Sequence, residues 1–293
     1  MNKADSMLLT PAASALQPVA GAPRLTAASC DLTRNIEVID EYGERRPLAI
    51  PAERPLTISI DGRELVTLMT LGARPELLVL GYLHNQRLIG EVSDIESITV
   101  DWQTSAATVA TRAGVRDFEA KTARRVVTTG CGQGTVFGDL MSQIDAIHLP
   151  AAEAARIRQH TLYKLLETMR ERESLHRSAG SVHGCALFHG AELQVFVEDV
   201  GRHNAIDTII GWMALHAVAG GDKTFYTTGR MTSEMVMKSA QIGVPIIVSR
   251  NGATAMGYDV ARKLGMSLIG RAVRRRFICY AGAERLDLEP EPR

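Results

Sequence analysis

The first clear pattern of apolar and polar positions is Leu-Thr-Ile-Ser-Ile at residues 56–60, which alternates as in a strand with one buried face. Asp61-Gly62 follows, a dipeptide typical of a two-residue hairpin turn, and residues 65–69 return as the second strand. Pro75 then begins a leucine-rich stretch that predicts a helix, and two further strands are predicted at residues 97–102 and 107–111. The N-terminal part is therefore expected to be a small α+β unit rich in antiparallel pairs.

A predicted helix with an apolar stripe follows at about residues 151–173, and beyond it the pattern changes. Strands and helices now alternate: strands at 181–188, 193–197, 224–228, 245–249 and 267–269, and helices at 204–217, 233–242 and 257–264. Short apolar strands that alternate with helices indicate a mixed or largely parallel sheet covered by helices. The predicted fold class is α/β (α+β overall).

These patterns divide the chain into four parts. Residues 1–48 are predicted to be a flexible extension, because the first 35 or so are rich in Ala, Pro, Ser and Thr and show no convincing periodicity, and order is expected to begin near Pro51. Residues 49–140 form the predicted N-terminal α+β domain and residues 141–284 the C-terminal α/β domain. Residues 285–293 are predicted to be a C-terminal tail.

Composition narrows the class of protein. The chain has 293 residues and is 45% apolar, which is enough for a substantial core. Its 33 basic and 33 acidic residues cancel, which argues against generic binding of nucleic acid through net charge. No apolar run approaches the ~20 residues that span a bilayer, and no signal peptide is evident. Four scattered cysteines without a C-x-x-C pair fit a reducing compartment, so we expect a cytoplasmic protein that binds no membrane.

Cys131 is the most informative single residue. It follows a β-branched run in Val-Val-Thr-Thr-Gly-Cys-Gly-Gln-Gly-Thr, residues 126–135. Glycines let a loop turn tightly and let large partners approach, so this thiol is expected to be presented to a partner. The thiolate is the reactive form of cysteine, and loop N–H groups or nearby cations lower its pKa. The alternative is a buried cysteine that acts as a small apolar residue.

A second cluster is Glu198-Asp199-Val200-Gly201-Arg202-His203-Asn204, placed where a strand becomes a helix. Ligands of α/β sheets commonly bind at the carboxyl ends of strands, which favours a functional role for the cluster. Asp199 or Asn204 can equally be a helix cap, and Arg202 can pair with Glu198 on the surface.

Two basic segments are candidate anion sites. Thr227-Thr228-Gly229-Arg230 precedes a predicted helix whose first N–H groups, together with Arg230, suit a phosphate, although the P-loop and G-x-G-x-x-G patterns are absent. Arg274-Arg275-Arg276 precedes Phe277-Ile278-Cys279-Tyr280-Ala281-Gly282 and is able to hold a flat anionic ligand, or simply to form a solvated turn.

A zinc deaminase is disfavoured. His183-Gly184-Cys185 lies where such an enzyme would carry H-x-E, but the glutamate is missing and no P-C-x-x-C follows. No metal site is therefore predicted, and His183 is expected to be a structural or polar-pocket residue.

Taken together, these motifs resemble the formate dehydrogenase accessory sulfurtransferase family (FdhD). The resemblance covers about residues 53–282 and is carried chiefly by Glu-Asp-Val-Gly-Arg-His-Asn-Ala-Ile-Asp at 198–207 and Gly-Arg-Met-Thr-Ser-Glu-Met-Val at 229–236. It implies a C-terminal domain of cytidine-deaminase-like topology, a smaller N-terminal domain and a homodimer.

The resemblance also implies an activity. Family members take sulfur from a cysteine desulfurase as a cysteine persulfide and pass it to the molybdenum bis(molybdopterin guanine dinucleotide) cofactor (bis-MGD), which then enters formate dehydrogenase. Cys131 is then the expected persulfide carrier, and residues 277–282 are the expected cofactor-binding segment. Gly229, Arg230, Asp199, Arg202 and His203 are further expected cofactor contacts. As a separate hypothesis, Glu198 or Asp199 reads the N–H edge of guanine.

One departure from the family leaves two functions open. The family loop commonly carries a second cysteine where this chain has Gly134. Either Cys131 transfers sulfur alone, or the protein is a cofactor-binding chaperone for formate dehydrogenase or a related molybdoenzyme, without sulfur transfer.

Overall fold

The computed structural model describes residues 16–115, 126–127, 134–135, 144–172 and 174–289. Cys131 therefore lies outside the described residues. The helices are α1 (Pro75–Asn85), α2 (Gln159–Glu171), α3 (Leu175–Ala179), α4 (Arg202–Leu215), α5 (Ser233–Gln241) and α6 (Ala255–Leu264). The strands are β1 (Arg24–Leu25), β2 (Thr33–Ile39), β3 (Arg45–Pro51), β4 (Arg54–Ile60), β5 (Arg63–Thr70), β6 (Ile95–Asp101), β7 (Ala106–Thr111), β8 (Val126–Val127), β9 (Gly134–Thr135), β10 (Ile157–Arg158), β11 (His183–His189), β12 (Glu192–Asp199), β13 (Lys223–Thr227), β14 (Ile246–Ser249), β15 (Ser267–Val273), β16 (Arg276–Ala281) and β17 (Leu286–Asp287).

The N-terminal sheet has the order β1-β6-β7-β4-β5, and α1 packs on one face of it. Its β4–β5 hairpin turns at Asp61-Gly62, both with positive φ (48° and 79°), as a tight two-residue turn requires. Leu56, Ile58 and Ile60 alternate into the core, so the predicted hairpin is confirmed.

Regular structure begins earlier than predicted. β1 adds to the N-terminal sheet beside β6, and β2 and β3 pair with each other over seven residues each, all before or at Pro51. Three strands thus include part of the predicted flexible extension. The signal was weak because no residue of β2 or β3 is fully buried, so neither strand shows a clean apolar face.

The C-terminal sheet has six strands in the order β12-β11-β13-β14-β15-β16. β13, β14 and β15 run parallel, whereas β11 is antiparallel to both of its neighbours and β16 to β15. One face packs on α4, α5 and α6 and the other on α2. The predicted mixed α/β sheet covered by helices is confirmed.

The ends of the C-terminal region differ from the prediction. The helix expected from residue 151 begins at Gln159, because a 3₁₀ turn (Ala152–Ala154) and β10 precede it, and β10 pairs with β17. Arg285, 3% exposed, donates to the carbonyls of Pro150, Ala151 and Ala155. Residues 285–289 are consequently part of the folded structure and not a free tail.

The two main sheets are joined by the crossing of α1 and α4. Gly81 and Gly211 lie at this crossing, where an added Cβ would overlap the carbonyl oxygens of Asp207 and Leu77, respectively. Asp207 accepts from Lys238 Nζ at 2.8 Å on both oxygens, and Asn85 Nδ2 donates to the same carboxylate. Close helix contact and a buried ion pair therefore connect the N-terminal and C-terminal regions.

Among the described residues, no helix is long and apolar enough to cross a bilayer.

Candidate functional site

The sequence motifs meet at one edge of the six-stranded sheet, which we call the carboxyl edge. β12 and β13 run in the same direction, because each is antiparallel to β11, and β14 is parallel to β13. Their last residues and the first residue of β11 therefore lie side by side, with His183 opposite Asp199 and Cys185 opposite Thr227. This topology brings together Asp199, Arg202, His203, Gly229 and Arg230, five of the predicted site residues.

Asp199 links this edge to the N-terminal sheet. Its Oδ2 accepts from the Thr70 hydroxyl and from Leu71 N (3.2 Å), and its Oδ1 from Gly201 N (3.1 Å) and Asn204 Nδ2 (2.8 Å). The side chain is buried, and burial raises its pKa to about 6 although these hydrogen bonds act in the opposite direction. Because four donors within the protein already occupy this carboxylate, its role is to connect parts of the structure. This weighs against the hypothesis that Asp199 binds the N–H edge of guanine.

Glu198 is also committed to the protein. Its two oxygens accept from Leu175 N (2.6 Å) and His176 N (3.0 Å), the first N–H groups of α3. Those groups have no partner inside the helix, so Glu198 completes the start of α3 from a distant strand. Burial raises the pKa of this carboxyl, while the α3 donors lower it.

Arg202, the first residue of α4, packs against Gly229, which lies in the turn after β13. A Cβ at Gly229 would lie 2.7 Å from Arg202 Cδ, so glycine is needed for this contact. Arg202 is buried, whereas Arg230 is exposed to solvent at the same edge. Of these two arginines, Arg230 is the one placed to meet a ligand arriving from solution.

His203 faces Glu234 across the starts of α4 and α5. Its Nε2 lies 3.2 Å from Glu234 Oε2, and both side chains are buried. Burial is the largest cause that lowers the pKa of His203 to about 2, and burial raises the pKa of Glu234, so the imidazole is neutral. His203 is therefore an internal residue of the edge.

Two polar residues missed by the sequence analysis, Ser249 and Asn251, shape the loops here together with Thr228. The Ser249 hydroxyl donates to Gly229 O at 2.6 Å, Asn251 Nδ2 donates to Thr228 O at 2.8 Å, and the Thr228 hydroxyl lies 3.4 Å from His183 Nδ1. Ser249 and Asn251 follow a buried strand, which is the signal that could have identified them. No group of three His, Cys, Asp or Glu side chains suited to a metal occurs among the described residues.

The predicted cofactor segment, residues 277–282, lies on β16 at the outer edge of the sheet. Phe277 and Cys279 pack towards α2, Tyr280 packs towards α6, and Ile278 is exposed. Tyr280 approaches the loop after β14, since a Cβ at Gly252 would lie 3.2 Å from its hydroxyl. Ala281 and Gly282 complete the segment, with Gly282 O accepting from the Ser267 hydroxyl. The segment thus approaches the carboxyl edge at Tyr280.

The three described cysteines are all held as protonated thiols. Cys185 is fully buried and donates to Thr227 Oγ1 at 3.3 Å, and burial raises its pKa to about 12. Burial likewise raises the pKa of the half-buried thiols of Cys30 and Cys279. A raised pKa leaves little thiolate near neutral pH, so these three thiols are poorly suited to nucleophilic chemistry.

The comparisons with known proteins agree with one another. A model described as the FdhD/NarQ family matches residues 51–287. The sulfur carrier protein FdhD of Geobacillus kaustophilus is 30% identical over 86% of this chain and 94% of its own, and that of Listeria innocua 29% identical over 81% and 91%. A crystal structure described as a formate dehydrogenase accessory protein from Desulfotalea psychrophila superposes with a TM-score of 0.68 at 25% identity, covering 87% of this chain and 98% of that one.

Proposed function

Because the chain belongs to the FdhD/NarQ family, we propose that it is a sulfur carrier that serves formate dehydrogenase, with Cys131 as the persulfide-bearing residue. The relatives named above support the coarser role, since their names describe sulfur carriers and a formate dehydrogenase accessory protein. The assignment of the chemistry to one thiol rests on the residues of this chain.

The assignment to Cys131 is carried by the protonation state of the other three thiols. The chain has four cysteines, and Cys30, Cys185 and Cys279 are all kept protonated by burial. Sulfur transfer requires a thiolate that reaches both a donor and an acceptor. Cys131, flanked by Gly130 and Gly132, is the remaining candidate.

The loading step follows from persulfide chemistry. The Cys131 thiolate attacks the terminal sulfur of a persulfide on a cysteine desulfurase, a new S–S bond forms, and the donor cysteine leaves as a thiolate. Electrons balance without another reactant, and Cys131 now carries the extra sulfur. The proposed acceptor is bis-MGD, which is a substrate of the transfer and not a resident cofactor, and we expect the protein to act as a cytoplasmic homodimer.

A cofactor-binding chaperone is the second candidate, and Gly134 is the observation that favours it. β8 and β9 pair Val127 with Gly134, and the family's second loop cysteine is absent at that position. In this alternative the protein holds the cofactor for a molybdoenzyme and Cys131 is dispensable.

Intact-protein mass spectrometry distinguishes the two functions. The protein is incubated with a cysteine desulfurase and free cysteine, and Cys131→Ala is treated in parallel. We expect wild type to gain one sulfur atom, removable by dithiothreitol, and Cys131→Ala to gain none. The matched control is Cys279→Ala, which removes a half-buried thiol and should load as wild type does.

The other outcomes are equally informative. Equal loading of wild type and Cys131→Ala would assign the sulfur to another residue. No loading of wild type by a donor that loads a known acceptor would favour the chaperone.

A further inference from the structure

The β2–β3 hairpin stands apart from both main sheets. Among the described strands, β2 and β3 pair only with each other, and no residue of either is fully buried. A two-stranded hairpin on its own is at best marginally stable in water, because one pair of strands buries little apolar surface. At its tip, Tyr42 is 83% exposed and Ile39 is 62% exposed. The hairpin therefore presents surface that further packing would stabilise.

The main-chain hydrogen bonds of the hairpin show which groups of β2 point outward. Ala52 N donates to Leu32 O at 2.9 Å at the base, and Asp40 N donates to Glu44 O at 3.1 Å near the turn. The register between these bonds is continuous, and bonded pairs of an antiparallel ladder occur at every second residue. On β2 the bonded residues are thus the even-numbered ones, and the odd-numbered ones direct N–H and C=O away from β3. These are Thr33, Asn35, Glu37 and Ile39.

The two outer edges of the hairpin differ in their capacity to pair with another strand. On β3 the outward positions include Pro47 and Pro51, and proline has no N–H to donate. β3 also lies beside α3. The outward positions of β2 contain no proline, and their main-chain groups have no hydrogen-bond partner in the part of the chain that the structure describes. β2 is therefore an open edge, of the kind that pairs with a strand of another chain.

The sequence of β2 suits antiparallel pairing with a second copy of itself. With Ile36 opposite Ile36 of the second copy, Asn35 lies opposite Glu37, and no like charges face each other along the strand. Arg34 is then diagonal to Asp40 of the second copy, within reach of its long side chain. This pairing has the two-fold symmetry of most homodimers, so each favourable contact occurs twice.

From these features we infer that two copies of the chain associate through the outer edges of β2, which form a four-stranded sheet of order β3-β2-β2-β3. The tip of each hairpin, with the exposed Ile39 and Tyr42, then lies against the base of the other. Pro47 and Pro51 close both outer edges of the new sheet, so assembly stops at two copies. The inference rests on the proposed function in one respect: a homodimer is part of that proposal, and its interface is assigned here.

Proline substitution on each edge tests the inference. Asn35 and Ala49 lie directly opposite each other, and both direct their N–H groups outward. Asn35→Pro removes a donor from the proposed interface and Ala49→Pro one from the β3 edge, while neither removes a bond inside the hairpin. In sedimentation velocity, wild type and Ala49→Pro should sediment at twice the 31.8 kDa of the chain. Asn35→Pro should raise the dissociation constant at least tenfold, whereas Asn35→Ala, which keeps the N–H, should associate as wild type does.

A cross-link tests the register independently of proline. All variants carry Cys131→Ala, which removes the loop thiol. Ile36→Cys places a thiol opposite its own copy, in a non-hydrogen-bonded pair where facing Cβ atoms come closest. Oxidised glutathione, which accepts the two electrons, should convert this variant to a covalent dimer on a non-reducing gel. The control is Arg34→Cys, whose thiol lies opposite Val38 of the second copy and should give no such dimer.

Several outcomes would overturn the inference. One is a monomeric wild type, and another is a dimer that Asn35→Pro leaves unchanged or that Ala49→Pro dissociates equally. Equal cross-linking of Arg34→Cys and Ile36→Cys would overturn the register and the interface with it. Sulfur loading of wild type at Cys131 is measured separately by mass spectrometry, so the interface can fail while the sulfur-carrier proposal stands, and the reverse.

Discussion

Asp199 shows how one side chain can connect distant segments. Its partners are Thr70 and Leu71 at the end of β5 and Gly201 and Asn204 at the start of α4. Asn204 Nδ2 also donates to Met69 O at 2.7 Å. The carboxylate therefore fixes the N-terminal sheet against the carboxyl edge, and its removal leaves several buried donors without a partner.

Asp199→Ala should lower the free energy of unfolding by about 3 kcal/mol, the cost of leaving buried donors unsatisfied. The loss should also depend on pH. The folded pKa of about 6 lies above the ordinary 3.8, so the folded protein holds a proton that the unfolded chain releases. The stabilisation that this raised pKa gives the folded protein is complete below pH 4 and is lost as pH rises through 6. Melting temperatures should thus differ more between wild type and variant at pH 4.5 than at pH 7.5.

Asp259→Ala, which removes an exposed carboxylate from α6, is the control and should melt as wild type does at both pH values. A gap between wild type and Asp199→Ala that widens towards pH 7.5 would contradict the raised pKa. If Asp199→Ala folds at low temperature yet loses guanosine binding, the carboxylate reads guanine after all.

The residue scale is where sequence reasoning was least able to assign roles. Glu198 and Asp199 stood out in the sequence, which predicted that one of the two reads guanine and left open a helix cap for Asp199 and an ion pair with Arg202 for Glu198. Their partners, Leu175 with His176 and Thr70 with Leu71, lie about 20 and about 130 residues away along the chain. No local pattern encodes such pairings, because the topology of the sheet brings them together.

At the scale of elements, the crossing of α1 and α4 depends on glycine. Backbones approach closely where Gly81 and Gly211 face the other helix, and neither helix has room there for a Cβ. Both helices are otherwise buried on nearly all sides, which is unusual for surface helices and typical of internal ones. The joint between the two sheets is therefore a tightly packed helix pair.

Gly211→Ala should destabilise the protein by about 3 kcal/mol or more, because the added methyl group forces two packed helices apart. The measurement is the urea midpoint of the fluorescence transition. Gly201→Ala is a matched substitution just before α4, where the nearest atom to the new Cβ is 3.4 Å away, and should shift the midpoint little. Equal midpoints for the two variants would show that α1 and α4 can move apart at the crossing without loss of stability, which would contradict the prediction.

The elements were predicted well where local signals and tertiary packing agree. Hairpin β4–β5 has alternation and an Asp-Gly turn, and α1, α5 and α6 begin within two residues of their predicted starts. The prediction was wrong for β10, which is two residues long and exists only because β17 lies beside it. Strands made by a distant partner carry no periodicity of their own.

At the scale of the whole molecule, the ion pair of Asp207 and Lys238 connects three helices. The two side chains are 0% and 2% exposed, and Asn85 on α1 joins them. Lys238→Met should destabilise the protein by about 3–5 kcal/mol, because it leaves a buried carboxylate without its cation. Lys238→Met/Asp207→Leu should recover much of that loss, since no charge then remains buried. Thermal melting of the two variants and wild type measures both effects.

Lys164→Met is the control, an exposed lysine of α2 whose removal should leave the melting temperature near that of wild type. A double variant less stable than Lys238→Met would mean that Asp207 is needed chiefly for Asn85 and the crossing.

The N-terminal core also contains Leu215, the last residue of α4, whose carbonyl accepts from Val19 N at 2.8 Å. During synthesis, β1 and β4–β7 leave the ribosome long before this residue does. The chain emerges at roughly 5–20 residues per second. For several seconds, therefore, the N-terminal core is exposed where α4 and Leu215 later cover it. The nascent chain is therefore most exposed to chaperones and proteases in the interval between residues 111 and 215.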